Sequence, residues 1–517
     1  MKKRFIYRAL AAVLLLGAIM LLWACGEKEE FVFEKNENGG AVLTGYHGKG
    51  GDVIVPDTYD GLPVVGIDSF AFVYKQSVSS VTLPETVEYI GKYAFVGSSE
   101  MRTVKLTSDK ISIGEGAFSN CRGLEEINLG VCEIIPKAAF KNCSSLTSID
   151  VSGATEIGYG AFSGCVKLES FNVPDTVKML GGNVFEGCVS LRHVKIGSSV
   201  SVIGENCFSG VPATVTFGDS SSLSIVTAGM FAGCIGERIE IPSSVTLIKR
   251  GAFDGCSAEI VFAEGIDMNV THGMFWGYLG ERIELPSGVE RIDGDAFNGV
   301  AAEIVFADDG ALTTVGSKAF AGYLGDSISL PDSVTYIGEG AFDGCEADVF
   351  FGEESKLIDL GVRAFEDWLG EKITLPTGLK YIGDGAFYGS ENLLEIKIPD
   401  GVNYIAADTF NMCYRLEKVD LGNVKTIGSG AFFGCSKLGS VVLPDGVERI
   451  EDAAFGGCDI LTSVTLGSKI RYIGMQAFGE CPLLVDINYA GSEADWKNVE
   501  LYNGAEAIGY ASVNFGK

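Results

Sequence analysis

Apolar residues along this 517-residue chain recur with a long period. A phenylalanine returns every 22 or 23 residues, nineteen times from Phe72 to Phe478. Each sits in a phrase close to I-G-x-x-A-F-x-G-C-x-x-L-x-x-V-x-L-P-x-x-V, seen cleanly in residues 113–130 and 427–444. Within it, V-x-L-P alternates apolar and polar positions, which predicts a short strand. Proline lacks the N–H needed to continue pairing, so Pro84, Pro174, Pro331, Pro399 and Pro444 end their strands. The alanine before each Phe leaves room for the ring, and the glycine of the I-G step suits a tight turn. One such unit is too short to bury its own apolar face. Stacked units bury a continuous core, so each Phe is expected to lie on the Phe of the preceding coil. The fold class is a repeat solenoid.

The phrase resembles the leucine-rich repeat family, in its BspA-like branch of bacterial surface proteins, over about residues 31–515. The resemblance implies a leucine-rich-repeat-like right-handed superhelix of about 19 coils, β-rich, with one short parallel strand per coil and an irregular or short-helical convex side. Residues 31–71 read as an N-terminal capping segment, 72–486 as the solenoid and 487–517 as a C-terminal cap in which Trp496 covers the last coil. Caps are needed because an open coil end exposes core and unpaired strand edges. The resemblance also implies a function, attachment to proteins of a host or a neighbouring cell.

A second period lies inside the first. Phe208, Phe253, Phe297, Phe342 and Phe387 are 44 or 45 residues apart, because two coil types alternate there. One ends in text like G-E-R-I-E-L-P (residues 280–286), the other in A-E-I-V-F (residues 258–262). Duplication of coil pairs accounts for this, and specialised surface is expected in this middle section.

The N-terminus supplies an address. Lys2, Lys3, Arg4 and Arg8 precede an apolar run of 15 residues, Ala9–Trp23, too short for a comfortable membrane span. Leu22-Trp23-Ala24-Cys25 resembles a lipobox, so residues 1–24 read as a lipoprotein signal peptide, Cys25 as the lipidated residue and 25–30 as an acidic tether. Cell-surface localisation, lipid-anchored to the outer face of a bacterial membrane, is expected.

Charge narrows the partners. The net charge is −29, and loss of the four basic leader residues takes it to −33, which opposes nucleic acid and anionic lipid. No EF-hand spacing occurs, and Asp308-Asp309 and Glu353-Glu354 read as solvated turns. Fourteen cysteines in an exported chain raise the question of disulfides. Eleven fall three residues after a repeat Phe, with only Cys132 and Cys207 off register besides Cys25. A residue at one fixed place per coil is a core ladder, where free Cys packs as a small hydrophobe. Tyr278, Tyr323 and Trp368 take the same slot in three coils. Thiols in a row are poor disulfide or zinc geometry.

Catalysis is not expected. The three histidines, His47, His193 and His272, lie in distant coils, and no P-loop, G-x-S-x-G, H-E-x-x-H or Rossmann pattern occurs. No cofactor or metal is expected either.

Strand alternation names the outward columns. One column is mostly polar, for example Thr82, Lys105, Asn128, Glu240 and Glu284, but Val261, Val305 and Phe350 break it in the middle section. The column two residues earlier alternates in sign: Arg238, Glu259, Arg282, Glu303, then Ser327, Asp348, Lys372, Glu395 and Lys418. Val261, Val305 and Phe350, rimmed by Arg238, Glu240, Arg282 and Glu284, are the candidate partner-binding residues. The bland alternative is scattered surface hydrophobes and a self-neutralising charge ladder. Beyond an adhesin or interaction module for a protein partner, two readings stand: a glycan-binding surface lipoprotein using Trp276, Tyr278, Tyr323 and Trp368, and a structural spacer without a specific ligand. The concave strand face is the expected site of recognition.

Overall fold

The computed structural model describes residues 30–516 apart from 109–110, 131, 309, 503–507 and 509–510. The leader 1–24, Cys25, most of the tether and Asp309 lie outside the described residues. The chain forms two compact units, one ending at Ala154 and one beginning at Thr155. Each is a β-solenoid of parallel strands.

The first unit opens on an antiparallel pair, Phe31–Lys35 with Ala41–Tyr46, and Ala41–Tyr46 then pairs in parallel with Leu62–Ile67. Beyond them run two parallel ladders. Val78–Thr82, Thr103–Lys105, Glu126–Asn128 and Ser148–Asp150 carry the V-x-L text; Tyr89–Ile90 and Ser112–Ile113 carry the residues before the I-G glycine. The second unit repeats this plan, for instance Arg238–Ile241 on Glu259–Phe262 and Ile225–Val226 on Leu247–Ile248. Most coils therefore have two strands where the sequence predicts one; at Val270 and Lys372 an isolated bridge takes the place of one of them. The second strand is only two residues long, too short for an alternation pattern to betray it.

The stretch between the ladders is built of turns, and the short-helical convex side is not found among the described coils. The reason lies in the backbone. At every one of the nineteen repeats, the residues two before and two after the core Phe have positive φ, as at Gly340 and Gly344 around Phe342 or Asn183 and Gly187 around Phe185. Two left-handed residues within five cannot belong to a right-handed helix. The I-G glycine, expected to make the tight turn, has another task, close approach of backbones. A Cβ on Gly361 would lie 2.7 Å from the carbonyl carbon of Gly338 in the coil before. Pro331 ends its strand, and its carbonyl accepts the Val334 N–H at 3.1 Å.

The core is the Phe ladder. In the first unit Tyr46, Phe72, Phe95, Phe118 and Phe140 stack at 4.8–5.3 Å between ring centroids. In the second unit the stack runs from Phe162 to Phe478 with centroids 4.8–6.1 Å apart. These are favourable offset-stacking distances. At the far end Trp496, on the one helix of the described residues (Glu493–Trp496), rests 5.1 Å from Tyr489. Ser492 and Asp495 form the capping box of that helix.

The slot three residues after Phe holds more than a packing group. The Cys121 thiol donates to the Phe95 carbonyl of the previous coil at 3.1 Å, Cys143 to Phe118 at 3.1 Å and Cys435 to Phe410 at 3.2 Å. Ser98 and Ser390 occupy the same slot and donate to Phe72 and Phe365 at 2.6 and 2.8 Å. The slot thus places a small donor on a buried carbonyl that the turn also bonds through its own backbone, as the Ser98 N–H does to the Phe95 carbonyl at 3.1 Å; Val211 and Val300 hold the same slot without donating. All thirteen described cysteines are free. Burial pushes the Cys121, Cys188, Cys256 and Cys345 thiols up to about 12. Cys481, partly exposed, is lowered instead, by its hydrogen bond with Cys458. The thiolate is the reactive species, so raised pKa and burial act in the same direction. In a chain carrying Cys25→Ser, a thiol alkylating reagent at pH 8 is expected to modify Cys481 and leave the other twelve described cysteines unmodified until urea is added. Mass spectrometry of the labelled chain reads this; rapid labelling of Cys121 or Cys345 in the folded protein would refute the buried ladder.

Candidate interaction surface

In the middle coils residues have moved from one end of the strand to the other. From Phe118 on, coils outside this section carry a core leucine three residues after the Cys slot, such as Leu124, Leu168, Leu416 and Leu438, all fully buried, and Val78 and Met101 hold the place in the first two repeats. The middle coils lack it. Tyr278, Tyr323 and Trp368 fill the space, and Tyr278 and Tyr323 Oη and Trp368 Nε1 donate to the carbonyls of Ala258, Ala302 and Ala347 at 3.0, 2.6 and 2.9 Å. The three aromatics are at most 1% exposed. They are core, and they cannot serve as glycan platforms. Trp276 is exposed, with the Arg250 guanidinium 5.5 Å above its ring.

The shortening before the strand is matched by lengthening after it. Ordinary coils take eight or nine residues from the middle strand residue to the next ladder, as from Ile127 to Ile135 or Phe171 to Leu180. From Val215 to Val226, Ile304 to Val315 and Val349 to Leu360 the step is eleven, and from Ile260 to Val270 it is ten. These four coils also lack the strand-ending proline and have Phe217, Phe262, Phe306 and Phe351 where their neighbours have Ile or Leu. In register, Phe217 stands opposite Ile196, Phe262 opposite Ile241 and Phe351 opposite Leu330. The aliphatic partners are buried, whereas the four Phe are only partly so. Alternation assigns these Phe inward. The longer loop and missing proline leave each ring one open side.

Three clefts open beside Phe217, Phe262 and Phe306, and Phe351 lines none of them. One of about 440 Å³ is lined by Phe217, Asp219, Arg238, Glu240, Val261, Phe262 and Glu264 among others. A second, of about 240 Å³, shares Val261, Phe262 and Glu264 and adds Glu259, Arg282, Glu284 and Pro286. A third, of about 630 Å³, is lined by Glu303, Val305, Phe306, Asp308, Ser329, Pro331 and Asp332. The fold thus brings Arg238, Glu240 and Val261 to one cleft, Val261, Arg282 and Glu284 to the next, and Val305 to the third. Phe350 lies outside these linings, 54% exposed and paired in register with Ser329. Val442, in the same outward column but outside the middle section, is more exposed still at 68%.

The charge column is paired as alternation requires, Arg238 with Glu259 and Arg282 with Glu303 in register. Its ion pairs are less regular. Arg282 reaches Glu303 at 3.7 Å and, on its own strand, Glu284 at 2.8 Å; Arg238 pairs with Glu240 at 3.5 Å. All are exposed, so each contributes little to stability. Among the described residues Asp219, Glu264, Asp308 and Asp332 enter no ion pair, and the third cleft has no cationic lining residue. The clefts carry an excess of negative charge.

At the opposite ends of the strands the same two-coil period leaves Ile235, Leu279, Leu324 and Leu369 exposed, Leu279 at 67%. Sequence reasoning passed over them, although the recurring L-G after the aromatic slot marks three of the four.

The model of the BspA type leucine-rich repeat region matches residues 65–188, 133–260, 268–370 and 358–485. The chain belongs to the BspA-type leucine-rich repeat family. Among solved structures, this BspA-type chain is similar to a leucine-rich cell surface protein of Faecalibacterium prausnitzii, at 22% identity over 92% of this chain and 97% of that one, TM-score 0.34. It is similar to the leucine-rich repeat protein of T. pallidum at 26% identity over 45% of this chain and 88% of that one, TM-score 0.28. The pneumococcal vaccine antigen PcpA matches at 15% identity over 95% and 98% of the two chains, TM-score 0.27. Scores this low carry no functional meaning. No curated protein matches the sequence. Leucine-rich repeat proteins in general are binding modules that present an extended surface.

Proposed function

We propose that this BspA-type chain is an exported, lipid-anchored surface protein that binds a protein partner, on host matrix or a neighbouring cell, through the strand face of its middle coils. The observation that carries the reading is the concentration of departures from the repeat in one stretch, residues 214–356: lengthened loops, half-open Phe rings and outward Val261, Val305 and Phe350. Exposed apolar groups rimmed by polar ones are the usual anatomy of an interaction surface. The N-terminal text of residues 1–25 supports export and a lipid on Cys25.

The test is binding of the chain lacking residues 1–24, with Cys25→Ser, to a panel of matrix proteins and glycans. The expected result is a protein hit weakened about tenfold or more by Val305→Glu with Phe350→Glu, since a fully buried anchor typically contributes above 1 kcal/mol. A hit unchanged in the double variant moves the site off these coils. Binding to glycan alone would favour the glycan reading, which among the candidate aromatics would have to rest on Trp276. Radiolabelled fatty acid incorporated by the wild-type chain and lost in Cys25→Ser tests the anchor.

A further inference from the structure

The middle coils repeat not only a sequence but a ruler. Phe217, Phe262, Phe306 and Phe351 recur every second coil, and parallel strands are spaced about 4.8 Å apart. Successive half-open rings therefore stand about 9.6 Å apart along the ladder, with a strand-ending proline (Pro242, Pro286, Pro331) in each intervening coil. The Phe262 ring is held from behind, edge-on to core Phe275 at 6.4 Å, so its open side is presented without loss of side-chain freedom on binding.

An occupant that meets every ring must repeat at the same interval on one face. A polyproline II segment rises about 3.1 Å per residue with three residues per turn, so residues i, i+3 and i+6 share a face about 9.3 Å apart. Over three steps the mismatch with the rings is about 1 Å. A β-strand covers a similar length in three residues, but its third neighbour points to the opposite face. An α-helix would need between six and seven residues per step, with no integral repeat. Aromatic-lined grooves are the known kind of site for polyproline II chains. The charge selects further: Asp219, Glu264, Asp308 and Asp332 line the clefts without a cationic partner among the described residues.

Resting on the docking reading above, we infer that the middle coils bind a proline-rich, Lys- or Arg-bearing segment of the partner, extended in the polyproline II conformation along the solenoid ladder. Apolar residues at every third position meet Phe217, Phe262, Phe306 and Phe351, and basic residues between them face the unpaired carboxylates.

The probe is a fluorescent peptide of four Pro-Pro-Lys triplets, titrated with the leaderless Cys25→Ser chain and followed by anisotropy. Controls are Gly-Ser-Lys and Pro-Pro-Glu peptides of equal length. The expected order is Pro-Pro-Lys tightest, with each control at least about tenfold weaker, the former for lack of a preformed helix and apolar contacts, the latter for charge. Phe262→Ser with Phe306→Ser should lower affinity for Pro-Pro-Lys about tenfold. Because Phe262 touches the core, Glu264→Lys with Asp308→Lys at exposed positions provides a second reading, abolishing the preference for Pro-Pro-Lys over Pro-Pro-Glu. Equal binding of the Pro-Pro-Lys and Gly-Ser-Lys peptides would overturn the inference, leaving only charge attraction. So would a matrix-protein hit by a chain that ignores Pro-Pro-Lys, although the wider docking reading would then stand. Peptide binding with silence on the matrix panel supports the inference and removes the host-matrix partner instead.

Discussion

Phe342→Ala is expected to destabilise the second unit by about 3–5 kcal/mol, the range for truncating a buried phenylalanine. Phe342 has no exposed surface and stacks between Phe320 at 5.3 Å and Phe365 at 4.8 Å. Truncation therefore removes contacts on both faces of the coil. Relaxation to fill the hole is hindered, because the Phe342 N–H is fixed to the Ala364 carbonyl at 2.7 Å and neighbouring coils are tied at the same level. In a solenoid, stability is nearly a sum of coil terms and nearest-neighbour interfaces. The loss should accordingly be local. Hydrogen exchange is expected to quicken in the Phe320, Phe342 and Phe365 coils well before those near Phe455. A urea midpoint alone would be ambiguous, since long repeat arrays can depart from two-state unfolding. Phe350→Ala on the surface is the control and should change stability by less than about 0.5 kcal/mol. A cost below about 1 kcal/mol for Phe342→Ala would mean that the ring ladder is not what holds the coils together.

The fold was legible because its signal is redundant. Nineteen phenylalanines at one spacing admit few other architectures, and the stacking of Phe on Phe is a consequence of the period alone. What sequence hid was the difference between two uses of glycine. The Gly two residues after Phe supplies positive φ, and the I-G glycine supplies the absence of a Cβ; in one-letter text they look alike. Asn120, Asp367 and Met412 at the first position, each left-handed, were the clue that conformation rather than size is required there. The donor role of the Cys slot was likewise signalled by Ser98 and Ser390, which a purely apolar slot would not accept.

The candidate surface was half legible. Alternation located the outward column, and Val261, Val305 and Phe350 are indeed not buried. Phe217, Phe262, Phe306 and Phe351 were invisible to the same rule, because alternation sends them inward. Their exposure depends on the connection after the strand: a loop one or two residues longer and no proline to turn the chain back over the ring. The missing core leucine does not by itself set that length: the Phe275, Phe320 and Phe365 coils also lack it, carry Tyr278, Tyr323 and Trp368 in the slot, and keep the ordinary nine residues. The long connections belong to the alternate coils, where only seven residues separate the core Phe from the middle strand residue, as from Phe253 to Ile260.

Gly361→Ala tests the closest approach between coils and is expected to cost about 1–3 kcal/mol, as overpacking does, with the upper end favoured by what the new methyl meets. Its Cβ would fall 2.7 Å from the Gly338 carbonyl carbon, 2.8 Å from the Ile337 oxygen and 2.9 Å from the Glu339 nitrogen. All three are backbone atoms, so no side chain can swing aside. The coil has to move away, and the Gly361 N–H bond to Ile337 O, 2.8 Å long, must stretch. Gly344→Ala separates this effect from conformational strain. Gly344 has φ +61° with nothing within 4 Å of a new Cβ, so only the left-handed penalty of roughly 1–2 kcal/mol applies. Gly383 repeats the close approach one coil on, with a Cβ 2.6 Å from the Gly361 carbonyl carbon. Because the Gly383 methyl would press on Gly361 itself, the two sites are coupled, and the double variant should depart from additivity by about 0.5 kcal/mol or more. Thermal or urea unfolding of the three single variants and the double variant reads the series. A harmless Gly361→Ala would show that the coils are farther apart than this backbone contact requires, and with it the spacing that sets the Phe217–Phe351 ruler would have to be remeasured.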